Sequence, residues 1–298
     1  MTDNWDDLRI FLAVARYETL SAAGRQIKLD PATVGRRIGR IEDQLGRSLF
    51  IRSTFGYALT DAGNRMLDHA VRVEQAMAGL SEEISGQTGS LSGQIRIGAP
   101  DGCANFLLPQ VCARISDKNP DLDIQIVALP RVINLTKREA DMAIAVSPPE
   151  TGRLTVQKLT DYKLHLAASA EYLQNKPPLT KLSDLKGHRF IGYIADMIFD
   201  KELDYLTELG VQRLPLASNS VSVQFNWLRA GAGLGVVHDF ALPFAPGLKR
   251  ILADRFSLTR SFYLIRHYED RRMDRMNKFV AALGEEIRAE LDHLERFP

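Results

Sequence analysis

Apolar positions in the first sixty residues recur with a helical period, and turn chemistry interrupts them at regular points. Leu8, Phe11, Leu12 and Ala15 mark one amphipathic helix, with Asp6 and Asp7 in its opening turn where the helix dipole favours acid. Ser21 is placed to cap a second, short helix, SAAGRQI, whose Ala22, Ala23 and Gly24 allow close packing. Only Lys28 and Leu29 separate it from Asp30, a good N-cap, and Pro31, a good first helical residue. Val34, Ile38, Ile41 and Leu45 then follow at i, i+4, i+7 and i+11, one apolar stripe. Thr33, Arg36, Arg37 and Arg40 fall on a different face. Two helices joined by so short a turn, the second carrying a basic face, predict a helix-turn-helix.

Beyond Gly46 the period changes. SLFIRSTFGYALT holds two β-prone runs, Leu49–Arg52 and Tyr57–Thr60, around a turn at Gly56, and reads as a hairpin wing. Arg52 and Thr54, near its tip, are placed to reach phosphates. Thr60 caps a helix running to about Ser85, roughly 40 Å at 1.5 Å per residue. Within it Met66, Ala70, Val73, Met77, Leu80 and Ile84 alternate spacings of four and three, a heptad seam that predicts pairing between two chains. SGQTGSLSG follows as a flexible hinge, residues 86–93. Strand patterns come next at Gln94–Ala99, Asp123–Ala128, Met142–Val146, Lys163–Ala168, Arg189–Tyr193, Leu216–Asn219, Gly233–Val237 and Ser261–Ile265. Helical patterns at Phe106–Ser116, Phe199–Leu209, Ser222–Ala230 and Arg272–Leu294 are interspersed, predicting a mostly parallel sheet with helices on both faces.

Charge sharpens this picture. The 298-residue chain carries a formal charge of only +1, so any nucleic-acid affinity is local. From Arg25 to Arg52 seven basic residues face three acidic ones, an excess of four. The two cysteines, Cys103 and Cys112, form neither a disulfide framework nor a zinc pattern, as expected in a reducing cytoplasm. MTDNWDDLRIF is acidic and lacks the apolar core of a signal peptide, and no run is long enough to span a membrane. Neither a metal site nor a cofactor motif is present. GAGLGV ends in Val236 and so misses the G-x-G-x-x-G pattern, and H-E-x-x-H and C-x-x-C are absent. His238-Asp239 is the one adjacent His/Asp pair, read as a loop feature rather than a catalytic dyad. No catalytic residue is expected.

The run LRIFLAVARYETLSAAGRQIKLDPATVGRRIGRIEDQLGRSLFIRSTFGYALTDAG resembles the N-terminal block of LysR-type transcriptional regulators, through LRIFLAVA, SAAG, VGRRIGRIEDQLG and LTDAG in order. The resemblance implies an all-α winged helix-turn-helix (residues 1–60) and a dimerisation helix (60–85), with double-stranded DNA carrying an interrupted palindrome as partner. The expected DNA-contact set is Ser21, Pro31, Ala32, Thr33, Gly35, Arg36, Arg37 and Arg40, with Arg52 and Thr54 of the wing. Where the family commonly starts its recognition helix with Ser-Gln, this chain has Asp30-Pro31-Ala32, and Gly35 stands where a serine is common. Groove insertion therefore carries over, and target sequence does not.

IRIGAPDGCANFLLP, READMAIAV and LRAGAGLGVV resemble the same family's effector-binding domain, an α/β two-lobed fold like periplasmic binding proteins. This implies a domain over 94–298, with one lobe of 94–165 plus 267–298 and another of 166–266. Ligands of such sheets sit beyond the carboxyl ends of strands. The expected effector-binding residues are Pro100, Asp101, Gly102, Cys103, Leu129, Arg131 and Ser147, faced by Tyr193, Asn219, Ser220 and His238. Pro100 stands where the family often has an anion-binding serine, and Asp101 adds negative charge. Both argue against a simple carboxylate effector, whereas Arg131 would favour one. The implied partners are a small-molecule effector, the chain itself as homodimer and homotetramer, and RNA polymerase. The alternative is a cytoplasmic solute-binding or carrier protein with an N-terminal interaction domain.

Overall fold

The computed structural model describes residues 5–54, 56–84, 91–128, 140–149, 154–174, 176–211 and 213–296, and the side chains at 68, 72, 75, 76, 78–84, 269 and 272 lie outside that description. The chain divides into two compact units, one comprising residues 1–89 and 136–138 and the other residues 90–135 and 139–298.

The first unit contains α1 (Trp5–Tyr17), α2 (Leu20–Ile27), α3 (Pro31–Leu45), the hairpin β1 (Phe50–Ser53) and β2 (Gly56–Leu59), and α4 (Asp61–Ile84). Phe11, Ile10, Ala23, Val34, Ile38 and Ile41 close its core, joined by Phe50 from the wing and Ala70 from α4. The apolar stripe of α3 ends one position early. Leu45 is 39% exposed, because Gly46 takes a left-handed φ of 61° and turns the chain away. Asp30 caps α3 through its side chain, accepting from the Thr33 amide at 2.9 Å. For α2 the cap is Thr19 and not Ser21: the Thr19 hydroxyl oxygen accepts from the Ala22 amide, and the helix begins one residue before Ser21. Thr60 caps α4, accepting from the Gly63 amide and donating to the Ser48 carbonyl.

Backbone hydrogen bonds tie the wing to both neighbours. Tyr57 N–H donates to the Glu18 carbonyl at 2.7 Å, joining β2 to the α1–α2 turn. Glu42 on α3 accepts from the amides of Leu49 and Phe50 at 2.7 and 3.1 Å.

The second unit is built on one nine-stranded sheet. Its elements are β3 (Gly93–Ala99), α5 (Asp101–Phe106), α6 (Leu108–Lys118), β4 (Leu122–Ala128), β5 (Met142–Ala145), β6 (Leu154–Ser169), α7 (Ala170–Gln174), β7 (Phe190–Gly192), β8 (Leu216–Ala217), α8 (Val221–Arg229), β9 (Leu234–His238), β10 (Leu248–Arg250), β11 (Ser257–His267) and α9 (Asp274–Leu294). The main strand order is β4-β3-β5-β11-β6-β9-β7-β8, with β10 on β6. The sheet is mixed, not mostly parallel. β3, β4 and β5 pair in parallel at one end and β7, β8 and β9 at the other, but the long β6 and β11 join them antiparallel. These ends are the two lobes, and β6 and β11 run through both.

The helical period at Phe199–Leu209 does not produce an α-helix. Asp200 caps a 3-10 turn at Lys201–Leu203 by accepting from the Glu202 amide, and Asp204, accepting from the Thr207 amide, bends the chain into a second at Thr207–Leu209, whose N-cap is Leu206. The apolar residues of that period, Leu203, Tyr205 and Leu206, are buried all the same.

The tight α2–α3 turn depends on a missing side chain at Gly24. A Cβ there would lie 2.5 Å from the Leu29 carbonyl oxygen. Gly24→Ala should therefore cost about 1–3 kcal/mol, the usual range for overpacking. Urea unfolding of the full chain followed by circular dichroism would measure it, with Gly39→Ala as control because a Cβ there meets nothing within 4 Å.

Candidate nucleic-acid and effector sites

The buried stripe of α3 leaves Pro31, Ala32 and Arg36 exposed and Thr33 and Gly35 half-buried. Arg36 bends back to donate to the Thr33 hydroxyl at 3.0 Å and otherwise faces solvent. The other arginines are engaged. Asp7 on α1, whose side chain is only 3% exposed, accepts from both Arg37 and Arg40, the latter at 2.8 Å. Arg37 also pairs with Asp6 at 2.9 Å. Asp6 is held below the usual carboxylate range by its hydrogen bond with Arg9 and the charge of Arg37. Arg52 pairs with Glu42 at 2.6 Å, so the wing arginine is tied to α3 rather than standing free at the tip. Thr54 is exposed on the hairpin. Sequence reasoning placed all three α3 arginines on one free face. The structure leaves Arg36 facing solvent beside Thr33 and gives Arg37 and Arg40 a shared structural partner in Asp7.

On α4 the seam separates into two parts. Ala70 is buried within the first unit and Met66 is packed against its core, whereas Val73 and Met77 are 39% and 47% exposed. The side chains of Leu80 and Ile84 lie outside the described residues.

In the second unit, residues following the strands of one lobe meet residues of the other. Asp101, first in α5, extends its carboxylate to the start of α8: Oδ2 accepts from the Ser220 hydroxyl at 3.0 Å and from the Ser222 amide at 2.9 Å. Ser220 is at the same time the N-cap of α8. Ser147, after β5, hydrogen-bonds Asp200 in the opposite lobe. Gly102 lies against His238 so closely that a Cβ would stand 3.0 Å from the imidazole Cε1. Thus Asp101, Gly102, Ser147, Ser220 and His238 all lie at the lobe boundary. Pro100 precedes α5 and Asn219 precedes Ser220, both half-buried. Cys103 turns inward, 1% exposed, and burial pushes its thiol far up, which leaves it a protonated core residue. Cys112 is likewise buried, its thiol pushed up to about 12. Leu129 and Arg131 lie outside the described residues.

Behind this boundary, wholly within the second lobe, a cavity of about 220 Å³ is lined by Tyr193, Tyr205, Leu206, Ile198, Thr207 and Gln224, among others. Tyr193 and Tyr205 meet edge to face at 5.8 Å. Asp200, Tyr205 and Gln224 were missed by sequence reasoning. Asp200 and Tyr205 sit in the stretch whose period predicts one helix, Gln224 lies in the predicted helix Ser222–Ala230, and no local pattern marks any of them as a site residue. His238 and Asp239 diverge: Asp239 pairs with buried His165 at 2.8 Å, while His238 stacks on Tyr162 at 5.5 Å. The pair is not a dyad. Among the described residues no group of three His, Cys, Asp or Glu could hold a metal ion, and no helix is long and apolar enough to cross a membrane.

A winged helix-turn-helix joined to a two-lobed α/β ligand domain defines a ligand-responsive DNA-binding regulator. Residues 5–64 match the family of bacterial regulatory helix-turn-helix proteins, lysR family, and residues 88–288 match the LysR substrate binding domain. The chain belongs to the LysR family of transcriptional regulators. It is similar to the transcriptional regulator CrgA of Neisseria meningitidis serogroup C (strain 8013), 25% identical over 298 residues, covering 96% of this chain and 98% of that protein. It is also similar to the transcriptional activator TtdR of Escherichia coli (strain K12), 27% identical over 259 residues, covering 82% and 81% of the two chains. Its fold matches a full-length OxyR variant from Pseudomonas aeruginosa with a TM-score of 0.73 at 17% identity, covering 97% of this chain and 95% of that one. ArgP from Mycobacterium tuberculosis matches with a TM-score of 0.69 at 19% identity, covering 98% of both.

Three expectations follow from the pairings and burial at these sites. Arg37→Ala leaves buried Asp7 with Arg40 alone and should cost about 2–3 kcal/mol in urea unfolding, below the range for wholly breaking a buried pair. Arg36→Ala should leave stability within about 0.5 kcal/mol of the parent chain, as for an exposed side chain. Burial pulls His238 down to about 4, against the Asp101 charge that raises it, so the imidazole stays neutral at neutral pH. In the unfolded chain it would protonate near its ordinary value of about 6.5. Below that pH the unfolded state binds the extra proton, so stability is lost as pH falls from about 6.5 to about 4. His238→Gln should flatten that segment of the stability profile, as measured by urea midpoints across the range.

Proposed function

We propose that this regulator inserts α3 into the DNA major groove, with Pro31, Ala32, Thr33, Gly35 and Arg36 at the base edges and phosphates and Thr54 at a flanking phosphate. The observation that carries this reading is the exposed α3 face left by the buried Val34, Ile38 and Ile41, with Arg36 its uncommitted cation. Arg37 and Arg40 contribute from their pairs with Asp7, and Ser21, exposed on α2, lies at the backbone side. A homodimer formed along the exposed Val73 and Met77 positions of α4 would give two such helices and an interrupted palindrome. A second pairing of dimers would give the tetramer.

The effector reading rests on the cavity beside Tyr193 and on the boundary contacts in front of it. A compact, largely apolar molecule occupying that space would favour one arrangement of the lobes and shift the population of DNA-binding states. On this reading the protein is cytoplasmic and carries out no chemistry on its ligand, in keeping with regulator relatives that are not enzymes.

Selection of genomic DNA fragments with purified full-length protein, repeated across salt concentrations, tests the DNA reading. Enrichment of an interrupted palindrome is expected. On that operator, Arg36→Ala should lower the slope of log affinity against log salt by about one if Arg36 meets a phosphate. Uniform weak binding without an enriched motif would overturn the reading.

A further inference from the structure

We propose that α8 begins with an anion site that this chain fills with its own carboxylate, that of Asp101. A helix N-terminus presents unpaired amides and a positive dipole end, and negative charge is favoured there. At α8 the amide of Ser222 donates to Asp101 Oδ2 at 2.9 Å. The Ser220 hydroxyl donates to the same oxygen at 3.0 Å while accepting from the Val223 amide at 3.4 Å. Asp101 Oδ1 is held from its own helix by the Asn105 amide group at 3.1 Å. The carboxylate therefore comes from one lobe and its binding site from the other.

A second observation marks this place as a ligand position rather than an ordinary cap. His238 is 5% exposed and its ring packs against Gly102, the neighbour of Asp101, yet its Nδ1 has no hydrogen-bond partner. The Ser222 hydroxyl in the first turn of α8 is likewise buried without one. Buried polar atoms are nearly always satisfied, so two orphans around one bound carboxylate describe a polar pocket that the side chain of Asp101 fills only in part. Its recognition chemistry is that of a small carboxylate: one backbone amide, one serine hydroxyl and a helix dipole.

Two consequences follow. The lobe arrangement seen in this structure is held by a tethered anion rather than a free one, with Ser147–Asp200 as a second hydroxyl–carboxylate clasp across the same boundary. A free carboxylate binds at α8 only when Asp101 is withdrawn, so the natural effector leaves that position to Asp101. The inference goes beyond the DNA and effector readings and holds whichever effector the protein takes.

Chemical rescue tests it. In full-length Asp101→Ala, amide hydrogen exchange at Ser222 should quicken about tenfold, as expected when a charge-assisted hydrogen bond is lost. Sodium formate, which replaces the deleted carboxylate, should restore protection with a saturable dose response. Sodium chloride at the same ionic strength should not, and the parent chain should respond to neither. Unchanged exchange in the variant, rescue by chloride, or an equal formate response in the parent chain would overturn the proposal. Asp101→Asn keeps the shape and loses the charge, and serves also if Asp101→Ala fails to fold. It should show faster exchange at Ser222 and no formate response, and parent-like exchange would overturn the role of the charge.

Discussion

The effector domain depends on a single ladder, the antiparallel pairing of β6 with β11. It runs from Ser257 opposite His165 to His267 opposite Leu154, with one register shift at Phe262/Tyr263. Toward one end of the ladder β5 adds to the other edge of β11, along Tyr263–Arg266, and toward the other end β9 and β10 add to β6, along Leu164–Ser169. Neither lobe has a complete sheet without it. At its middle Tyr162, 1% exposed, stacks on Phe262 at 4.1 Å and on His238 at 5.5 Å. The ladder thereby fixes the floor under the lobe boundary, and the groups that meet above it, Asp101, Ser220 and Gly102, inherit their spacing from it.

In the DNA-binding unit the comparable constraint is electrostatic. Asp7 is nearly inaccessible to water and sits among apolar residues of α1, so its charge must be met by neighbouring donors. Arg37 and Arg40 of α3 meet it, and Glu42 does the complementary work on the wing side. The recognition helix is thus tied to α1 through its arginines and to the wing through its own Glu42, in addition to the apolar stripe beneath it.

Local chemistry made much of this legible from the sequence. The α3 stripe as far as Ile41, the Asp30 and Thr60 caps and the hairpin each rest on residues a few positions apart, and each is found where the pattern puts it. What escaped depends on distant partners. Nothing near Arg37 reveals that its partner lies 30 residues earlier. The period of Phe199–Leu209 was genuine, but it recorded burial of Leu203, Tyr205 and Leu206, while Asp200 and Asp204 diverted the backbone into turns. At the lobe boundary the strand-end rule located Asp101 and Ser220 without indicating that they bind each other. Asp200 could not be placed, because the route between β7 and β8 is not written in periodicity, and Gln224 lies on a helix the period does predict but faces a cavity that only the fold assembles.

The hydrogen bond from Tyr57 to Glu18 has a consequence for how DNA is measured. With β2 fastened to the α1–α2 turn and β1 fastened to Glu42 of α3, the wing cannot swing independently of the recognition helix. With groove insertion of α3 as proposed, the domain is a gauge of fixed length, meeting groove and flanking backbone at one set separation. Differences among operators must then be absorbed by the DNA, through its bending and groove width, or by the distance between the two gauges of a dimer. A regulator built this way tunes its response by repositioning whole heads, and a half-site lengthened by one base pair finds no adjustable part to meet it.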